Sequence, residues 1–169
     1  MKDKERMIEE LTERMMRFDQ GDSKQIQHFL KVHRLAAIIC EKEGIDEKTR
    51  FLTECAALVH DIGILPARKR YGCSSGRLQE LEGPAYARKM LKEMGLAAEM
   101  VDRICYLVAH HHTYDQMQGI DYHILVEADF LVNFYEDEMD VSLREKMVAD
   151  YFYTAAGREL YRWMYAPES

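Results

Sequence analysis

Proline is scarce in this 169-residue chain, with only Pro66, Pro84 and Pro167. Scarce too is the apolar–polar alternation that marks half-buried strands. Little therefore interrupts helix along most of the chain. No run approaches the roughly eighteen apolar residues of a membrane span. The start, Met1-Lys2-Asp3-Lys4-Glu5-Arg6, is charged and leads into an amphipathic stretch rather than a signal-peptide apolar region. The four cysteines (Cys40, Cys55, Cys73, Cys105) include no C-x-x-C pair, and three lie in apolar helical surroundings. They read as buried reduced thiols of a cytosolic protein. Positive charge is also in deficit. Lys+Arg 23 against Asp+Glu 30 leaves a net charge of -7, which argues against non-specific attraction to DNA or RNA. An acidic chain that handles anions needs a local basic patch or a metal.

What is present is helical periodicity without repeat, low-complexity segment or linker. With 47% hydrophobic and 31% charged residues, the composition is that of an ordinary soluble globular domain. The reading is one all-α domain over residues 1–169, expected to be cytoplasmic, with six to seven helices. The first is expected over residues 2–18, stopped by Asp19-Gln20-Gly21. Asp22 or Ser23 caps a second that runs to Glu43 and ends at Gly44; Asp46 caps a third. Residues 62–82, with Gly63, Pro66, Gly72, Ser74, Ser75 and Gly76, read as a long loop of the kind that often carries function. Pro84 suits the first turn of a fourth helix ending near Gly95. A fifth is expected over 97–111, a sixth over 122–135 and a seventh over 142–165.

The third helix runs through Ala56-Ala57-Leu58-Val59 into His60-Asp61. Burying two adjacent ionisable groups there is costly unless both are paired. His28 lies mid-stripe on the second helix, with Val32, Leu35 and Ile39 at helical spacing. Asp129 shares a face with Tyr122, Leu125, Val126 and Val132, where a carboxylate is desolvated and needs a metal, an Arg or a His. His28, His60, Asp61 and Asp129 together offer two imidazoles and two carboxylates. That mixture suits Mn, Fe, Co, Ni or Zn better than Ca or Mg.

These residues and their surroundings resemble the H…HD…D signature of the HD-domain metal-dependent phosphohydrolases, an all-α superfamily. Ile26-Gln27-His28-Phe29-Leu30-Lys31-Val32 resembles the first motif, with a basic residue and Val after the His. Ala56 through Gly63 resembles the second, and Val126 through Leu131 the last. The resemblance covers about residues 22–135, with the first and last helices flanking it. It implies metal ligation by His28, His60, Asp61 and Asp129. His33 lies about 140° round the helix from His28, so the two cannot serve one ion; the motif places the ligand at His28.

His110-His111-His112-Thr113-Tyr114-Asp115 resembles the HHE..D segment of the binuclear HD-GYP subgroup. That resemblance implies metal or phosphate contacts for His110 and His111. His112, aligned with Val101, Cys105 and Val108, reads as a half-buried core contact. Glu82 stands where binuclear relatives place a further His, so Glu82, His110 and His111 are the candidates for a second ion. Gly119-Ile120-Asp121 replaces the GYP element, which argues against cyclic-di-GMP hydrolysis. Arg68, Lys69, Arg70 and Arg77 form either an anion-receiving patch or a solvated charged loop. Tyr151, Tyr153, Tyr161, Trp163 and Tyr165 read as a packing or homodimer face.

The resemblance implies hydrolysis of phosphate esters or anhydrides in a small nucleotide-like substrate by a metal-activated water, with one or two divalent transition metals. Asp61, His110 and His111 are the expected catalytic residues, and Arg68, Lys69, Arg70 and Arg77 the expected substrate contacts. No nucleic-acid polymer or membrane partner is expected. A non-hydrolytic metal- or ligand-binding module and an HD-type di-iron oxygenase are the alternative readings.

Overall fold

A computed structural model describes residues 2–166. Their regular structure is entirely helical: α1 Lys2–Phe18, α2 Ser23–Lys42, α3 Glu47–Val59, α4 Ile64–Tyr71, α5 Gly76–Glu93, α6 Ala98–His110, α7 Ile120–Glu136, α8 Val141–Tyr151 and α9 Ala155–Tyr165. The expected caps are in place. Asp22 Oδ1 accepts from the Gln25 amide at 3.0 Å, and Asp46 Oδ1 from the Lys48 and Thr49 amides, each at 3.0 Å. Each satisfies amides that the helix cannot pair internally. No described helix is long and apolar enough to cross a membrane.

Helix α7 is the axis of the fold. Residues from Asp121 to Val132 are buried along it save His123, because α2 and α3 pack on it directly and α9 covers a further side. Helix α3 continues the core to α6, and α6 to α5. Phe29, Val32, Leu58, Ile104, Leu107, Leu125 and Leu131 are all fully buried. The apolar stripe containing His28 thus faces α7 and α3.

The expected long loop over residues 62–82 is instead α4, a short turn, and the first part of α5. Pro66 is the third residue of α4, where its missing N–H has no partner to lose. Gly72 closes that helix with φ 75°, a conformation glycine adopts without strain. Pro84, expected to open a helix, lies inside α5. An interior proline costs roughly 3 kcal/mol, offset here by extensive packing of α5 on α6. The chain also comes very close to itself here. A Cβ on Gly63 would sit 2.4 Å from the Gln79 carbonyl oxygen and 2.8 Å from the Gly83 nitrogen. Only a glycine directly after the His60-Asp61-Ile62 turn lets α5 lie against it.

The single helix expected over 142–165 is two, α8 and α9, broken at Phe152-Tyr153-Thr154. A buried carboxylate makes the break. Glu127 Oε1 accepts from the Tyr153 amide (2.7 Å) and the Thr154 amide (2.9 Å), and Oε2 accepts from the Thr154 hydroxyl. Thr154 Oγ1 in turn caps α9 by accepting from the Gly157 amide at 2.8 Å. The aromatic C-terminal face is mainly packing: Tyr151, Tyr161 and Tyr165 close on Phe130, Phe134 and Phe152, while Tyr153 and Trp163 are exposed. Cys40, Cys55 and Cys105 are buried free thiols, and Cys73 is exposed.

Glu127→Ala leaves two backbone amides unpaired and should lower unfolding free energy by about 2–4 kcal/mol, measured by urea denaturation, with fastest amide exchange gained at residues 153–157. Asp19, at the α1–α2 junction, is buried with Oδ2 unpartnered. Burial, then the neighbouring Asp22 and Asp61, push its carboxyl from the ordinary 3.8 up to about 7. A carboxyl raised on folding contributes stability at low pH that is lost as pH rises through the folded value. Asp19→Asn should therefore raise Tm over wild type more at pH 8 than at pH 5, read by calorimetry at both.

Candidate metal centre

Three helices deliver the four expected ligands to one point. His28 comes from the middle of α2, His60 and Asp61 from the turn that ends α3, and Asp129 from the middle of α7. His28 Nε2 lies 3.3 Å from His60 Nε2 and 3.2 Å from both Asp61 Oδ2 and Asp129 Oδ1. His60 Nε2 is 3.4 Å from the same two carboxylate oxygens. His28, His60 and Asp129 are at most 5% exposed.

The far side of each imidazole is committed. His60 Nδ1 donates to the Ala57 carbonyl (2.8 Å), one of the carbonyls that the end of α3 leaves unpaired. His28 Nδ1 faces Glu136 Oε2 at 2.9 Å, and a carboxylate there requires an N–H. Both Nε2 atoms are then free to present lone pairs to each other and to two carboxylates. Such a group of donors is stable only around a positive charge. A first-row divalent ion binds N and O at about 2.0–2.2 Å, which sets neighbouring donors roughly 3–3.5 Å apart. The donor spacing fits.

The ionisation of the cluster expresses the same demand. Burial opposes protonation of His28, but Asp129 and Asp61 outweigh it and push the imidazole up to about 11. His60 is raised likewise, against burial, by Asp61 and Asp129. Burial would raise Asp61, but His60, His111 and His28 hold it well below the usual carboxylate range; His28 and His60 do the same for Asp129.

The second oxygen of Asp61 faces a different imidazole. Asp61 Oδ1 lies 3.2 Å from His111 Nε2, while His111 Nδ1 donates to the Val108 carbonyl at 2.9 Å. His111 therefore ends α6 as His60 ends α3, each ring returning a proton to the carbonyl three residues back. Asp61, His111 and His112 offer donor atoms within 4.8 Å of one another, as do His28, His60 and Asp61. His112 is half-buried, as its spacing implied, but its packing is on α5 at the cavity. It lies on the cavity wall, with Nε2 2.9 Å from Gln79 Oε1, and burial and His111 push its pKa down to about 4.

Other expected residues are not brought together. His110 points away from the cluster: Nδ1 donates to the Tyr106 carbonyl (2.7 Å) and its ring stacks on Tyr106 at 4.2 Å. It sits about 100° round from His111, and only one of the two can face inward. Glu82 accepts from Tyr71 (2.8 Å) and Arg70 (3.2 Å), tying α4 to α5 instead of facing Asp61. Because residues 64–71 coil into a helix, Arg68 alone of the four basic residues reaches the cavity. Lys69, Arg70 and Arg77 are exposed elsewhere. His33 pairs with Glu54 at 3.0 Å, away from the cluster.

The cavity over the ligands holds about 400 Å³. Its walls include residues that sequence reasoning did not single out: Lys24, Gln25, Gln79, Asn133, Glu136 and Asp137. Gln25 Nε2 donates to Asp61 Oδ2 (3.1 Å) and Asn133 Nδ2 to Asp129 Oδ1 (3.0 Å). Helical spacing could have found three of them. Gln25 lies three residues before His28, and Asn133 and Glu136 lie four and seven after Asp129. A larger hollow of about 640 Å³ between α1 and α5 has no comparable ligand group; its Glu10 and Arg14 pair with each other at 2.8 Å.

A sequence model of the HD domain matches residues 26–155, most of the chain and every residue of the cluster above. The chain belongs to the HD domain family. Among curated proteins none matches significantly. Two solved structures share the fold. A predicted HD superfamily hydrolase from an uncultured Thermotogales bacterium superposes with a TM-score of 0.65 at 24% identity, covering 95% of this chain and 84% of the other. Bacillus subtilis YpgQ gives 0.64 at 18% identity, covering 95% and 89%. In this HD protein the family match runs beyond residue 135, through α8 and up to the first residue of α9.

Metal binding can be checked directly. Purified protein titrated with Mn²⁺, Co²⁺ or Zn²⁺ should gain about 3–4 kcal/mol of stability at a thousandfold excess over Kd. His60→Ala and Asp129→Ala should lose that gain, whereas His33→Ala, His110→Ala and Glu82→Gln should keep it.

Proposed function

We propose that this HD protein is a metal-dependent hydrolase of phosphate esters or anhydrides in a small, nucleotide-like molecule. The observation that carries the reading is the meeting of His28 Nε2, His60 Nε2 and two buried carboxylates, with both Nδ1 atoms committed elsewhere. A divalent transition metal bound there supplies Lewis acidity and an ionisable water. Membership of a family that includes a structure described as a predicted hydrolase supports the same class.

The cavity walls say how an anion could enter. Asp22, Asp61, Asp129, Glu136 and Asp137 line it against only Lys24 and Arg68. A phosphate would be repelled without added positive charge, so substrate binding and metal binding are coupled. Arg68 is paired at 3.1 Å with Asp22 on the rim, where it can exchange that carboxylate for a phosphate oxygen. Asp61 holds two roles through its two oxygens, one toward His28 and His60 and one toward His111. Oδ1 can accept a proton from an attacking water or hold it in line. His112, neutral at ordinary pH, spends its one N–H on Gln79 Oε1 from Nε2, while Nδ1 faces the Tyr114 hydroxyl at 3.4 Å, so it fixes Gln79 on the cavity wall.

A second ion is the further reading favoured by a particular observation, the closeness of Asp61, His111 and His112. Asp61 would then bridge. His112 would have to release Gln79.

The test is phosphate release from phosphomonoesters, phosphodiesters and nucleoside triphosphates after loading with Mn, Fe, Co, Ni or Zn. Activity should require metal. Asp61→Asn should lower kcat by at least about a hundredfold, and Arg68→Ala should raise KM about tenfold with a smaller change in kcat. Metal-loaded protein that releases phosphate from none of these overturns the proposal, and oxygen uptake by the iron form would replace it with oxidative chemistry.

A further inference from the structure

Glu136 is the last residue of α7, where a carboxylate meets the negative end of the helix dipole. It is also nearly buried, with its side chain 11% exposed. Both features are unfavourable for an acid unless something compensates. Two partners do. Glu136 Oε2 lies 2.9 Å from His28 Nδ1, and Oε1 lies 2.7 Å from Lys31 Nζ. Lys31 sits three residues after His28 on α2, so one turn of that helix presents a ring nitrogen and an ammonium to the two oxygens of one carboxylate.

We propose that Glu136 is the positioning residue of the centre: it keeps the His28 proton on Nδ1, so that Nε2 presents a lone pair to the ion, and Lys31 holds Glu136 in place. The inference rests on the metal-centre reading above.

His60 and His111 have their Nδ1 protons fixed by backbone carbonyls, three residues back, at the ends of their helices. His28 lies mid-helix, where the backbone carbonyls are already paired within the helix, so no such anchor exists. Left to itself, a neutral His28 would place its proton on Nε2 and donate to Asp61 or Asp129, both 3.2 Å away. That tautomer puts a hydrogen where the ion belongs. A carboxylate on the opposite side reverses the preference and raises the basicity of Nε2. The basic residue that follows His28 in the first motif thereby acquires a structural reason in this chain, since it fixes the anchor of the ligand.

Glu136→Ala should weaken Zn²⁺ binding about 10- to 100-fold, measured by competition with a chromophoric chelator. Glu136→Gln keeps an acceptor oxygen facing Nδ1 and should recover most of that loss; Lys31→Met should fall between wild type and Glu136→Ala. In the Zn²⁺-loaded wild type, ¹H–¹⁵N spectra should show a slowly exchanging His28 Nδ1–H, and excess Zn²⁺ should not restore it in Glu136→Ala. A mere α2–α7 clamp would lower Tm but leave both the affinity of folded protein and this proton unchanged. Equal affinity in Glu136→Ala, or no recovery in Glu136→Gln, overturns the positioning role alone. Wild type that binds no better than His60→Ala overturns the metal centre and this inference together.

Discussion

The Nε2 atoms of His28 and His60 stand 3.3 Å apart beside two buried carboxylates. That arrangement is unfavourable without a cation, and much of the structure serves to maintain it. The crossing of α2 on α7 sets His28 against Asp129. The end of α3 turns His60 and Asp61 inward because the ring of His60 pairs a carbonyl that the finished helix leaves open. Gly63 then lets α5 pass close enough to close the cavity with Gln79. Removing any of these contacts would separate charges that are tolerable only together.

Helix α7 carries both the core and the chemistry, on different faces. Asp129, Asn133 and Glu136 form a polar stripe toward α2, and each is tied to a member of the His28–His60–Asp61–Asp129 cluster or is one. Glu127 points elsewhere and divides the C-terminal segment into two helices. A helix buried almost all round ordinarily excludes acids. Here every acid along it is satisfied by a partner from another element, so α7 also specifies how α2, α3 and α9 dock.

The cavity is acidic and small, with few fixed cations. In the proposed reaction, electrostatics ties anion binding to metal occupancy, and selectivity falls to the walls: Lys24 and Arg68 on the α2–α4 side, Gln79 on α5 with His112 after α6, and Asn133 on α7 with Asp137 just past its end. These groups come from four helices and the turns after α6 and α7, and no local pattern announces their meeting.

The sequence by itself determined the helical class, the caps at Asp22 and Asp46, and the four side chains that converge. Periodicity and capping act within a few residues, and a buried charge on an apolar face is a local anomaly that can be read without knowing its partner. Only the tertiary structure decided which neighbours share the site. Pro84 is carried inside α5 by packing against α6, and residues 64–71 form a helix that turns Lys69 and Arg70 outward and leaves Arg68 at the cavity. Rotation at the end of α6 selects His111 over His110, and the return of α5 brings Gln79 to His112. Glu136 meets His28 across 108 residues. Such contacts depend on how helices pack, an energy summed over many weak and distant terms, and no short window of sequence contains it.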